Sequence, residues 1–86
     1  MELFGTPDIS GKYHRDDGVG RLSETTLYLN ASEMLKLSEF LAKCVRENQE
    51  FELWDHEHFA DFLRLSDQSY NGPDIIVHLA ERERMS

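Results

Sequence analysis

Three of the chain's four histidines, His56, His58 and His78, fall in stretches whose residue types favour strands. His56 and His58 are two apart, so a strand directs both imidazoles to one face. His78 belongs to the outward face of a second expected strand. If the two strands pair, three imidazoles converge, and three neutral imidazoles are a ligand set for zinc. A spacing of two also recurs without any chemistry, and the plain alternative is a polar sheet surface facing water. No other cofactor is indicated.

An acidic run surrounds these histidines. Residues 47–63 contain no Lys or Arg, but they include Glu47, Glu50, Glu52, Asp55, Glu57 and Asp61. Asp55 and Glu57 share a strand face at a separation compatible with general acid/base work. So small a sheet leaves little room for the pocket catalysis needs, and no enzymatic role is expected. Trp54 stands among Glu50, Glu52, Asp55 and Glu57. An exposed aromatic ringed by carboxylates suits a basic protein partner, because Trp supplies buried area and the acids steer encounter. A one-residue shift in strand register would instead make Trp54 a core residue. The expected contact surface is Glu50, Glu52, Trp54, Asp55, Glu57 and Asp61.

Composition agrees with that surface. The 86 residues hold 17 Asp and Glu against 9 Lys and Arg, a net charge of −8, and 40% are hydrophobic. The length suits one small domain and excludes a two-domain cofactor enzyme. The charge argues against nucleic-acid binding, which needs clustered Lys and Arg to neutralise phosphates. No apolar run approaches the ~20 residues of a membrane span. The single cysteine, Cys44, forbids an intrachain disulfide, and the N-terminus lacks the pattern of a signal peptide. A reducing cytoplasm is the expected compartment.

The elements that must hold these residues follow from periodicity. Residues 1–20 read as a loose arm, since four of the five glycines lie between Gly5 and Gly20. A turn at Asp17-Gly18 and a further edge strand from the arm are open to it. Thr25 to Leu29 favours a strand, with Leu27 and Leu29 facing the core. Asn30 suits a helix N-cap, and Glu33 completes a capping box. The helix then runs over 31–48, gathering Met34, Leu37, Phe40, Leu41, Cys44 and Val45 in one arc. Residues 51–58 alternate, which places Phe51 and Leu53 in the core and Trp54 on the opposite face. Phe59, Phe62, Leu63 and Leu65 form a short helical plug. A tight turn is expected at Asn71-Gly72, followed by a strand over 74–80 with Ile75, Val77 and Leu79 inward. Residues 81–86 are a polar tail.

Several of these stretches resemble small bacterial α+β proteins grouped with the immunity proteins of polymorphic toxin systems. The likeness rests on Thr26-Leu27-Tyr28-Leu29-Asn30 running into a helix with Leu37 and Leu41. It continues through His56-Glu57-His58-Phe59, Asp61, Ser69 and Asp74-Ile75-Ile76-Val77. It covers roughly residues 25–80 and leaves the arm unmatched, and the stretch Phe59-Ala60-Asp61-Phe62 is longer than the pattern. The resemblance implies a non-enzymatic protein that neutralises a toxin by binding it. It also implies that acidity matches a basic target such as a nuclease.

The expected fold is α+β, with one main helix packed on a small sheet of three to four mostly antiparallel strands over residues 21–80. On that picture Leu41→Ala costs about 2–5 kcal/mol. A homodimer formed through an exposed sheet edge is an alternative use of the same fold.

Overall fold

The computed structural model describes residues 1–7 and 20–80. The order is β1 (Glu2–Pro7), β2 (Leu22–Tyr28), α1 (Ala31–Glu50), β3 (His56–His58), α2 (Phe59–Arg64) and β4 (Ile76–His78). The class is α+β, but the strands form two separate two-stranded antiparallel sheets, β1–β2 and β3–β4. The single sheet of three to four strands is therefore replaced by two ribbons, and the main element contact of α1 is with α2. Among the described residues, no helix is long and apolar enough to cross a membrane.

Residues 2–7 of the expected arm form β1, the further strand left open for it, while the Asp17-Gly18 turn and the tail lie outside the described residues. β1 and β2 pair from Glu2↔Tyr28 to Thr6↔Glu24, with a register shift between Thr6 and Pro7. Pro7 has no N–H to give the ladder, which accounts for the irregularity at that end. All seven residues of β2 are exposed, including Leu27. Phe4 and Tyr28 close edge-to-face across the ribbon, ring centroids 5.6 Å apart.

Helix α1 starts where the sequence places it. Asn30 Oδ1 accepts from Glu33 N at 2.8 Å, and Asn30 N donates to Glu33 Oε1 at 2.9 Å, closing the capping box. The helix ends at Glu50, and the chain turns immediately afterwards, with Trp54 N donating to Phe51 O at 3.1 Å. This turn replaces most of the strand expected over 51–58 and inverts its faces. Phe51 and Leu53 are exposed, and Trp54 packs against the core.

The core is small: Phe40, Cys44, Phe59 and Leu63, with Ala60 beside them. Leu37, Trp54, Phe62, Tyr70, Ile75 and Val77 pack around it. Phe40 lies 5.2 Å from Phe59 and 5.6 Å from Phe62, centroid to centroid. Helix α2 plugs the core as expected, except that Leu65 is exposed. Of the six apolar residues in the α1 arc, Leu37, Phe40 and Cys44 meet the core, whereas Met34, Leu41 and Val45 remain exposed. The cost assigned to Leu41→Ala does not survive this geometry. Gly72 sits in a bend rather than a tight turn, and a Cβ there would press on the Tyr70 ring.

Candidate functional site

The β3–β4 ribbon carries the histidines. Its register pairs His56 with His78, Glu57 with Val77 and His58 with Ile76. Leu79 N donates to Asp55 O at 2.9 Å and Phe59 N to Ile75 O at 2.8 Å. Those bonds fall at residues 55 and 59, one on either side of β3, so His56 and His78 occupy a non-hydrogen-bonded pair, where facing side chains stand closest. Their rings stack with centroids 4.7 Å apart and planes 17° from parallel. The His58 ring meets His56 edge-on at 5.4 Å. Ile75, Val77 and Leu79 point inward and Ile76 and His78 outward, as the alternation predicts. The expected imidazole face therefore exists.

Two carboxylates divide that face. Asp55 Oδ2 lies 2.8 Å from His56 Nδ1 and 3.9 Å from His78 Nδ1. Asp55, His56 and His78 each bring one ligand atom within 4.8 Å of the others. His58 turns to Asp74 instead, with Nδ1 2.6 Å from Oδ2, while Asp74 Oδ1 accepts from Ala60 N at 2.7 Å. Asp74 thereby supplies the cap that the N-terminus of α2 lacks, since His58 at the N-cap makes no side-chain cap bond. Burial pushes the Asp74 carboxyl up, but the Ala60 N–H and His58 outweigh it and hold it below the usual carboxylate range.

Behind the ribbon, Lys43 of α1 reaches Glu57 Oε2 at 2.7 Å and Glu47 Oε2 at 3.3 Å. Trp54 Nε1 donates to the other Glu57 oxygen at 3.3 Å. Facing Glu57 raises the Glu47 carboxyl, and the hydrogen bond from Glu47 is the largest influence lowering Glu57. On acidification the pair therefore takes up its first proton at Glu47. Beside this network a cleft of about 270 Å³ opens between Lys43, His56, His58, Asp61 and Phe62.

The predicted contact residues are thus split between two roles. Glu57 and Trp54 are half-buried supports, committed to Lys43 and to the core. Glu50, Glu52, Asp55 and Asp61 are exposed, Asp61 lying 3.0 Å from Arg64 Nη1. Leu53, at the tip of the turn, is 95% exposed, and Phe51 beside it is 57% exposed. Lys43 and Asp74 were not among the expected site residues. Their partners lie 14 and 16 residues away, and only the i,i+4 pairing potential of Lys43 is visible locally.

Comparison of the chain with protein-family models, with curated proteins and with solved structures finds no match in any of the three.

Proposed function

We propose that the chain is a non-enzymatic, cytoplasmic protein-binding domain that holds a basic protein against the turn after α1, in the manner of an immunity-type inhibitor. The observation that carries this reading is Leu53, 95% exposed on a turn flanked by Glu50, Glu52 and Asp55. A leucine held in water offers an apolar anchor, and the carboxylates around it favour approach by a cationic surface. The turn is backed by the bonds of Trp54 and Lys43 to Glu57, so little conformational freedom remains to be lost on docking.

Retention of basic proteins from a source-cell extract on the immobilised chain tests this. The wild-type chain should hold its partner at low salt and release it as ionic strength rises. The double substitution Glu50→Lys, Glu52→Lys should weaken retention by about tenfold or more with an unchanged melting temperature, and Leu53→Ser should weaken it with an unchanged salt slope. Equal retention by the wild type and both variants overturns the reading.

A further inference from the structure

Separately from partner binding, we infer that Asp55, His56 and His78 form a surface site for one zinc ion. The ribbon presets it. His56 and His78 face each other at the close-pair position, and the backbone bonds from Leu79 N to Asp55 O and from Phe59 N to Ile75 O hold that register on both sides. A tetrahedral zinc ion with bonds of about 2.0–2.1 Å spaces its ligand atoms about 3.3 Å apart. The separations from Asp55 Oδ2 to the two Nδ1 atoms, 2.8 and 3.9 Å, straddle that value. Seating the ion requires the two imidazoles to turn out of their 17° stack until both Nδ1 lone pairs converge beside Asp55 Oδ2.

The chemistry of the set agrees. Two imidazoles, borderline nitrogen donors, joined by one carboxylate make a set that zinc accepts, whereas magnesium and calcium favour all-oxygen shells. A bound ion needs the Nδ1 lone pair of each ring, so each imidazole binds as the neutral tautomer that carries its proton on Nε2. Charge favours the ion, because Asp55 brings a carboxylate into the set and the nearest cation of the adjoining cleft, Lys43, is paired with Glu57 and Glu47. His58 stands outside the set, because the ligand atoms that gather within 4.8 Å of one another are those of Asp55, His56 and His78, while its own Nδ1 is paired with Asp74 at 2.6 Å. Three protein ligands leave a fourth position open to water, and the side chains are 42% exposed at His56 and 58% at His78, so the site is reachable from solvent.

Calorimetric titration of the full chain with zinc chloride in a non-chelating buffer near neutral pH tests the site. One ion per chain should bind with micromolar affinity, and ring nitrogen shifts in NMR should move most at His56 and His78 and less at His58. His78→Ala should weaken binding by more than about tenfold, since even outer-sphere partners of metal ligands are worth about 10–100-fold. Magnesium should give no saturable heat. Absence of saturable zinc binding, binding indifferent to His78→Ala, or equal binding of magnesium overturns the inference. None of these measurements involves a protein partner, so failure here leaves the docking turn standing.

Discussion

Phe40→Ala is expected to leave the domain mostly unfolded at room temperature. The ring is wholly buried and touches both aromatic rings of α2. Truncating a buried Phe to Ala costs about 3–5 kcal/mol through lost transfer energy and the cavity left behind. A chain of this size carries only about 0.05–0.15 kcal/mol of stability per residue. With so few fully buried side chains, no second layer exists to close over the void. Urea denaturation followed by circular dichroism checks the effect. Leu41→Ala, one residue along but 43% exposed, is the control and should stay within about 1 kcal/mol of the wild type. Equal losses from both would mean that the helix presents a different face.

The second large effect is expected at Asp74. Its two oxygens hold the Ala60 N–H and the His58 ring, so Asp74→Ala uncaps α2 and releases β4 from β3 together. Hydrogen bonds to a charged group contribute about 1.5–3 kcal/mol each. With the side chain 29% exposed, the two together are worth about 2–4 kcal/mol. Acid should show the same contact. The folded carboxyl titrates below its unfolded value, so its contribution is fully present above the ordinary range near pH ~4. That contribution is lost as pH falls through the depressed folded value. Glu57 acts with the same sign, and Glu47, held higher, opposes it. Melting temperatures measured from neutral to acid pH should fall less steeply in Asp74→Asn than in the wild type, from a lower starting point. Parallel curves for the two proteins would show that Asp74 does not govern the acid limb.

The sequence exposed some of this arrangement and hid the rest for physical reasons. The start of α1 was legible because a capping box is local: Asn30 and Glu33 satisfy one another across three residues. The histidine face was legible because side chains in a strand alternate rigidly, so His56, His58 and His78 had little choice once β3 met β4. Alternation over Phe51 to Trp54 misled, since four residues fit a turn as well as a strand. The bond from Trp54 to Phe51 reverses the chain and turns Trp54 inward. The helical phase of α1 pointed its apolar arc correctly but could not say how wide a layer would cover it. Leu37, Phe40 and Cys44 met that layer, and Met34, Leu41 and Val45 did not. Asp74 was hidden because its value depends on residues 14 and 16 positions away.

Cys44 gives the molecule an internal clock. The thiol is 5% exposed, and burial, the largest influence on it, pushes its pKa up, so the reactive thiolate is scarce while the core is closed. An alkylating reagent can then mark the sulfur only during moments when the helices part. Dividing the labelling rate by that of a free thiol gives the fraction of time spent open, which converts directly into a local opening free energy. One atom, the only sulfhydryl in the chain, reports the breathing of the whole interior without any engineered probe.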